Sequence, residues 1–235
     1  TTKKPVSSTG CYAAAKKSAS FIRQVTTADI SSGNIPEFGE TSSPCKCVIW
    51  GDSHAMALTS GLDSVLKEYH TKGIQTTHAS TAPILDFYVT ERYGLNENAP
   101  AFNSAVIDMI IKQEVQGVIL AGLWSSYTKN KQFEECLYTT TEKLIQAGIQ
   151  VAIVRDVAMH KADIPTLLSM SDRFGWDQEA IGVTQADYAQ ANDRCDQVFS
   201  KLRNRGVMVL DPQPLLTDER GFWRSQFNGV SMYRD

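Results

Sequence analysis

The chain has 235 residues, enough for one large domain with a substantial core. Hydrophobic residues make up 42% of the chain, charged residues 21%, and the net charge is −3. A charge this close to zero gives no indication of nucleic-acid binding, and no apolar run reaches the roughly 18 residues that a membrane-spanning helix needs.

Residues 1–44 differ in composition from the rest of the chain. They are rich in Ser, Thr and Lys and include the loop-like stretch SSGNIPEFGETSSP. This composition is typical of a linker or extension, which we expect to pack on a main domain that spans residues 45–235. The opening TTKKPVSST contains neither an initiator methionine nor a signal peptide, which indicates a piece of a longer protein.

From residue 45 onward, short apolar runs alternate with amphipathic segments. The predicted strands and helices are, in chain order, strand 47–50, helix 55–69, strand 74–79, helix 101–113, strand 117–121, helix 133–146, strand 149–155, helix 185–203 and strand 206–210. Glycines lead directly from helices into three of the strands, as in GIQTTHA and GVMVLD. The alternation predicts a three-layer α/β/α sandwich with a five-stranded parallel sheet.

The five cysteines are Cys11, Cys45, Cys47, Cys136 and Cys195. Their spacing suits neither a zinc site nor a CxxC redox motif. They are either buried thiols or, in an oxidising compartment, two disulfides and one free thiol. For the second alternative we expect the pairs Cys11–Cys45 and Cys136–Cys195. We predict no metal and no cofactor.

The motif GDSH, from Gly51 to His54, follows the first predicted strand of the main domain. In doubly wound sheets, functional sites lie outside the carboxyl ends of the strands. Asp52 and Ser53 are preferred helix N-cap residues, which would explain the motif without any chemistry. The alternative is that Ser53 is a nucleophile presented at the strand-to-helix turn.

A nucleophilic serine needs a base, so the four histidines are the next test. His54 is adjacent to Ser53, but successive helical side chains diverge by about 100°, which favours a supporting role or a substrate contact. His78 ends the second strand and is the only other candidate near the carboxyl edge. We expect His70 and His160 to be exposed. None of the four completes a convincing triad.

The GDSH motif resembles the first block of the SGNH (GDSL-like) hydrolase superfamily. With a histidine after the serine, the motif resembles that of the SGNH domains fused to acyltransferase family three membrane proteins. Those proteins O-acylate bacterial surface polysaccharides. Further stretches resemble the later blocks of this family in order: THASTAPIL, VILAGLWSSY, VAIVRDVAMHKADIP and VMVLDPQPLL. The resemblance covers residues 45–235 and implies the flavodoxin-like SGNH hydrolase fold.

The resemblance also implies the catalytic residues. The family ends its catalytic region with Asp-x-x-His, and this chain ends with GVSMYRD. Ser53 would therefore be the nucleophile and Asp235 the acid that orients the base. The base itself would be a histidine three positions after Asp235, outside this chain.

By the same resemblance, the oxyanion hole would take its donors from Ser53, the turn at Ser80, and Gly122. The family often places an asparagine after the glycine of its third block, and Trp124 falls there instead. Trp124 is predicted either to contact substrate through its ring or indole N–H, or to be a core tryptophan. Asp52 either caps the helix or contacts substrate.

The resemblance implies an extracytoplasmic domain that transfers an acyl group, expected to be acetyl, to carbohydrate through an acyl-enzyme. Its expected partners are an upstream multi-pass membrane acyltransferase domain, an acyl donor and a carbohydrate acceptor. The expected location is the periplasmic or extracellular face of the bacterial inner membrane. Two alternatives remain: a carbohydrate O-acyl esterase that uses the same residues, and a non-catalytic carbohydrate-binding module, which Trp124 and the absence of the expected histidine from this chain would favour.

Overall fold

The computed structural model of the protein describes residues 22–160, 162–228 and 230–233. In chain order, the helices and strands are α1 (Thr27–Ser32), β1 (Glu37–Gly39), β2 (Lys46–Gly51), α2 (Ser53–Glu68), β3 (Lys72–Thr77), α3 (Ala99–Lys112), β4 (Gly117–Ala121), α4 (Trp124–Tyr127), α5 (Phe133–Gln146), β5 (Gln150–Val154), α6 (Ile164–Phe174), α7 (Gln185–Arg203), β6 (Met208–Leu210), α8 (Gln213–Leu216), β7 (Gln226–Phe227) and β8 (Val230–Ser231).

Six strands form the central sheet, in the order β1-β3-β2-β4-β5-β6. Strands β2 to β6 are parallel, which confirms the predicted five-stranded parallel sheet. The sixth strand, β1, pairs antiparallel with β3 and comes from the part of the chain predicted to be a linker. With only three residues, β1 is too short to show a sequence period. The domain boundary at residue 44 stays a prediction.

Alternate side chains of the parallel strands pack into different cores. Val48 and Trp50 of β2 join the larger core cluster, which includes apolar residues of α3 and α5. Ile49 joins a smaller cluster on the other face, together with Phe38 of β1 and Ala55 of α2. Apolar layers on both faces of the sheet make the sandwich three-layered. None of the helices in the described part of the chain is long and apolar enough to span a membrane.

Helix α6 is missing from the sequence prediction, although its ends carry ordinary signals. The side chain of Asp163 caps its first turn by accepting a hydrogen bond from the Thr166 N–H, and Pro165 lies in that turn. Gly175 ends the helix with a left-handed φ of 68°. The helix packs partly against β8, so one of its contacts is a short hairpin that has no clear sequence pattern of its own.

The described cysteines, Cys45, Cys47, Cys136 and Cys195, are free thiols, so the predicted Cys136–Cys195 disulfide is wrong. Cys195 is buried in the main core, whereas the Cys136 sulfur lies 3.9 Å from the carbonyl oxygen of Asp86. Burial raises the pKa of Cys47 to about 11 and that of Cys195 to about 12. Both thiols therefore stay protonated at neutral pH. Cys11, the predicted partner of Cys45, lies outside the described residues.

Candidate active site

Ser53 is exposed at the first position of α2, directly beyond the carboxyl end of β2. The turn that leads to it requires glycine, because a Cβ on Gly51 would lie 1.7 Å from the carbonyl oxygen of Ala121. Ser53 is the first helical residue, so its backbone N–H has no hydrogen-bond acceptor within α2. Ser53 thus lies where the sequence places it, and its role as nucleophile stays a prediction.

Asp52 joins the Ser53 turn to the segment that follows β4. Its carboxylate is buried and accepts hydrogen bonds from the N–H of His54 at 2.8 Å, the N–H of Leu123 at 2.8 Å and the hydroxyl of Tyr127 at 2.5 Å. The first of these bonds caps α2. The cap is therefore the correct one of the two predictions for Asp52, since three protein donors and burial leave its carboxylate no access to substrate.

A second buried carboxylate, Asp156, holds the same segment from the other side. Asp156 directly follows Arg155 at the end of β5, and its two oxygens accept the N–H groups of Trp124 at 2.8 Å and Ser125 at 2.9 Å. Together with the bond from Leu123 to Asp52, three consecutive N–H groups donate to buried carboxylates. The segment 122–127 is thereby fixed between the ends of β2 and β5.

Trp124 is fully buried, and its indole N–H donates to the carbonyl oxygen of Val154 at 2.8 Å. Its ring packs edge-on against Phe199, with ring centroids 5.8 Å apart. The predicted substrate contact of Trp124 is therefore wrong, and the alternative of a core tryptophan is correct. The physical reason is that the indole N–H is already satisfied inside the protein.

Gly122 lies beside the Asp52 carboxylate. A Cβ at this position would lie 3.3 Å from Oδ2 of Asp52 and 3.2 Å from Cε2 of Tyr127. Glycine therefore allows the backbone after β4 to approach the buried pair closely. This approach places the Gly122 backbone next to the turn that carries Ser53. Whether Gly122 donates to an oxyanion stays a prediction.

Burial dominates the electrostatics of this region. It raises the pKa of Asp156, and this rise is partly offset by the hydrogen bonds from Ser125 and Trp124 and by attraction to His54. Burial and the neighbouring charge of Asp52 also raise the pKa of Tyr127. The Tyr127 hydroxyl therefore keeps its proton and remains a donor to Asp52.

The segment after β3 completes this edge of the sheet. The N–H of His78 donates to the carbonyl oxygen of Gly51 at 3.0 Å, and its ring Nδ1 lies 2.9 Å from the carbonyl oxygen of Val25. These contacts give His78 a structural role in joining residue 25 to the edge. Ser80 lies two residues further on, half-buried, with a left-handed φ of 50°. Its part in an oxyanion hole stays a prediction.

The end of the described chain also reaches the carboxyl edge of the sheet. The ring of Tyr233 packs edge-on against His160, with ring centroids 4.2 Å apart, and His160 belongs to the segment after β5. Asp235 itself lies outside the described residues. The prediction that His160 is exposed is wrong: it is half-buried, its Nε2 is completely buried, and burial lowers its pKa.

Sequence reasoning missed Asp156 and Tyr127. The signal for Asp156 was present, since it follows a predicted strand as Asp52 follows β2, and functional sites lie at this edge of the sheet. Tyr127 carried no comparable signal, because it meets Asp52 across 75 residues of chain. Within the described residues, no group of three or more His, Cys, Asp or Glu side chains could hold a metal ion.

A family model described as an SGNH domain fused to AT3 domains matches residues 12–235. The chain belongs to this family. Among solved structures, the SGNH domain is similar to the periplasmic domain of a lipopolysaccharide acetyltransferase from Salmonella ser. Paratyphi A, with a TM-score of 0.68 and 18% sequence identity over 95% of this chain and 87% of that chain. At this identity the likeness shows the fold alone. No curated protein matches the chain.

Proposed function

We propose that this SGNH domain transfers an acyl group to a carbohydrate hydroxyl through an acyl-enzyme on Ser53. The observation that carries the proposal is the exposed Ser53 at the start of a 16-residue helix, beyond the carboxyl end of a central parallel strand. Its hydroxyl is accessible, and the helix N-terminus next to it favours negative charge. Membership of a family whose SGNH domains are fused to AT3 domains supports acylation as the reaction.

In the first step, Oγ of Ser53 attacks the carbonyl carbon of the donor, and the base takes the serine proton. The bond to the leaving group then breaks, and the leaving group receives that proton. In the second step, a sugar hydroxyl attacks the acyl carbonyl carbon and loses its proton to the base. The bond between the acyl carbon and Oγ of Ser53 then breaks, and the base returns the proton to Oγ. The base is assigned by resemblance to a histidine three positions after Asp235, with Asp235 orienting it.

Negative charge develops on the acyl oxygen in both steps. We assign its stabilisation to backbone N–H groups of Ser53, Gly122 and the Ser80 turn. Rigid placement of such donors matters because they act without reorganising during the reaction. The buried carboxylates of Asp52 and Asp156 would supply this rigidity, since they hold the segment that begins at Gly122.

The remaining parts of the proposal concern location and partners. The domain would lie on the outer face of the bacterial inner membrane, joined to a membrane acyltransferase domain that delivers the acyl donor. Acetyl is the acyl group that the resemblance implies, and surface polysaccharide is the acceptor. The periplasmic origin of the similar Salmonella domain supports this location. The burial of Trp124 removes one of the two observations that favoured a pure binding module.

The test compares the full-length protein with its Ser53→Ala variant, using an acyl donor and a purified surface polysaccharide. Ser60→Ala is the matched control, because Ser60 is an exposed serine of the same helix. We expect sugar ester from the unmodified protein and from Ser60→Ala, and a loss on the order of 10⁶-fold with Ser53→Ala. Free acid as the only product would identify an esterase, and glycan binding without any turnover would identify a binding module.

A further inference from the structure

A cavity of about 480 Å³ lies next to the site, between the segment that follows β5, helix α6 and the first turns of α7. Ser125 of the lining belongs to the segment 122–127, and its N–H is held by Asp156. Leu123 of the same segment donates its N–H to Asp52, the residue before Ser53. The cavity is therefore bordered by a segment that is hydrogen-bonded to the Ser53 turn.

The walls of the cavity combine aliphatic side chains, among them Val157, Ile164, Leu167 and Val183, with polar ones, which besides His160 are Ser125, Asp187, Tyr188, Gln190 and Asn192. One polar atom in them lacks a partner: Nε2 of His160 is buried and has no hydrogen-bond partner among the described residues. A buried polar atom without a partner is costly in a native structure and calls for an explanation. A ligand that hydrogen-bonds to His160 would supply the missing partner.

The charge and polarity of the lining residues indicate the class of ligand. The described lining contains no Lys or Arg but includes the carboxylate of Asp187, and burial lowers the pKa of His160, so these residues do not favour a phosphate or carboxylate. Two buried polar side chains of the lining already donate inside the protein, the Tyr188 hydroxyl to the carbonyl oxygen of Asp156 and the Asn192 amide to the carbonyl oxygen of Tyr188. A hexose would therefore place several hydroxyl groups against aliphatic side chains that cannot pair with them. An acyl chain buries one carbonyl group and otherwise apolar surface, which matches the aliphatic part of the wall and the imidazole nitrogen that lacks a partner.

The volume argues for a chain longer than acetyl. A cavity of about 150 Å³ is enough to hold a benzene molecule. The present cavity is roughly three times larger, and an acetyl group would contact only a small part of its aliphatic wall. We propose that this cavity binds the uncharged acyl chain of the donor and that the chain is longer than acetyl. The Nε2–H of His160 donates to the acyl oxygen alongside the backbone N–H groups assigned above. The inference rests on the proposed function and changes one part of it, since a longer acyl chain takes the place of the acetyl group.

Binding can be measured without turnover by using amides as probes. N-methylhexanamide and N-methylacetamide carry the same polar group and differ in chain length, and neither is readily cleaved. Their affinities for the full-length protein are measured by saturation-transfer NMR, and the ring nitrogens of His160 are followed in the same samples. We expect N-methylhexanamide to bind at least tenfold more tightly than N-methylacetamide and to shift the His160 signals.

Two tryptophan substitutions on α7 locate the binding. Ala191 lines the cavity, so Ala191→Trp should fill part of it and weaken N-methylhexanamide binding at least tenfold. Ala189 is exposed on the same helix and is not among the cavity-lining residues, so Ala189→Trp should leave binding unchanged. Equal affinities for the two amides, or unchanged binding in Ala191→Trp, would overturn the proposal. The comparison of chain lengths in the unmodified protein holds even if Ala191→Trp fails to fold.

A separate readout distinguishes this inference from the proposed function. Rates of Ser53 acylation by p-nitrophenyl acetate and p-nitrophenyl hexanoate are compared in the unmodified protein and in Ala191→Trp. We expect a preference for hexanoate that Ala191→Trp abolishes. Acylation of Ser53 with a preference for acetate would overturn the inference and leave the proposed function in place. Amide binding without any acylation of Ser53 would contradict both the proposed function and the assignment of the cavity to the acyl donor.

Discussion

Two segments follow neighbouring strands at the carboxyl edge of the sheet, and they differ in whether their polar groups have hydrogen-bond partners inside the protein. In residues 122–127, after β4, the N–H groups of Leu123, Trp124 and Ser125 all donate to buried carboxylates. In residues 157–164, after β5, His160 has a buried ring nitrogen without a partner and borders a cavity. The first segment is fixed from within the protein, and the second leaves a polar atom for a ligand.

This difference indicates that the two segments have different roles at one site. Rigidly held N–H groups suit the stabilisation of charge in a reaction, because they need not move when the charge appears. A cavity with an aliphatic wall and a buried polar atom that lacks a partner suits recognition of a ligand. If this assignment of roles is correct, substitutions in the first segment and its supports should cost stability, whereas removal of that polar atom in the second should not.

The largest effect is expected at Gly51, which supports the fixed region. A Cβ in Gly51→Ala would lie 1.7 Å from the carbonyl oxygen of Ala121, so β2 and β4 could not keep their spacing. We expect a loss of about 3 kcal/mol or more in the free energy of unfolding, which lowers Tm by roughly 6–12 °C for a chain of this length. Thermal unfolding followed by circular dichroism measures it.

Gly61→Ala is the matched control for this prediction. Gly61 lies within α2, and nothing is within 4 Å of a Cβ built on it. Alanine has the higher helix propensity, so this variant should gain up to about 1 kcal/mol. A Gly51→Ala variant as stable as the unmodified protein would show that the turn before Ser53 is not tightly packed.

The second effect is expected at Asp52. Asp52→Ala removes the acceptor for three donors and leaves the N–H of Leu123 and the hydroxyl of Tyr127 buried without a partner. We expect a loss of about 2–3 kcal/mol in urea unfolding. Asp163→Ala removes an exposed cap from α6 and should lose only about 1 kcal/mol. Equal losses in the two variants would mean that Asp52 is only a cap.

The third prediction concerns the pH dependence of stability at Asp156. Burial raises the pKa of its carboxyl group in the folded protein above the ordinary value of 3.8. The folded protein therefore keeps this proton at pH values where the unfolded chain has lost it. The resulting stabilisation is fully present below about pH 3.8 and is lost as the pH rises through the folded-state pKa.

The Asp156→Asn variant has no carboxyl group to titrate at this position. It therefore tests directly whether Asp156 makes the free energy of unfolding fall or rise with pH. The free energy of unfolding of the unmodified protein minus that of Asp156→Asn should decrease as the pH is raised from about 3.8 toward neutrality. Asp163→Asn, at an exposed position, serves as the control for the general effect of removing a carboxylate. A difference that rises with pH would mean that the hydrogen bonds to Asp156 outweigh its burial.

The smallest effect, of opposite sign, is expected at His160. His160→Leu removes a buried nitrogen without a partner from an aliphatic wall, so we expect a gain of up to about 1 kcal/mol in urea unfolding. Gln146→Leu, at an exposed position of helix α5, should stay within about 0.5 kcal/mol. A clear loss of stability in His160→Leu would show that this nitrogen is satisfied in the folded protein and would remove the contrast between the two segments.

The parallel strands and most long helices could be predicted from sequence because their signals are local. Strand β4 and helices α5 and α7 begin and end at the predicted residues, and the other parallel strands agree within about two residues. Strand β1 could not be predicted, since its three residues form a strand only by pairing with β3. Helix α6 has local caps, but the sequence on either side of it shows no regular pattern, so the helix was not predicted.

The site was predictable only in part for the same reason. The GDSH motif locates Ser53 and the cap at Asp52 because both depend on adjacent residues. The bonds that fix residues 122–127 join Asp52 to Leu123 across 71 residues and Asp156 to Trp124 across 32 residues. Such contacts depend on which strands become neighbours. Whether Trp124 faces substrate or core could likewise be decided only once Val154 was found to accept its indole N–H.

The most direct test of the account is the detection of an acyl group on Ser53. The full-length protein is mixed briefly with p-nitrophenyl hexanoate, quenched in acid and digested, and its peptides are analysed by mass spectrometry. We predict one hexanoyl group on the peptide that contains Ser53, its disappearance when a carbohydrate acceptor is added before the quench, and no such group in Ser53→Ala. Acylation that is unchanged in Ser53→Ala, or absent from the unmodified protein, would contradict the assignment of Ser53 as the nucleophile.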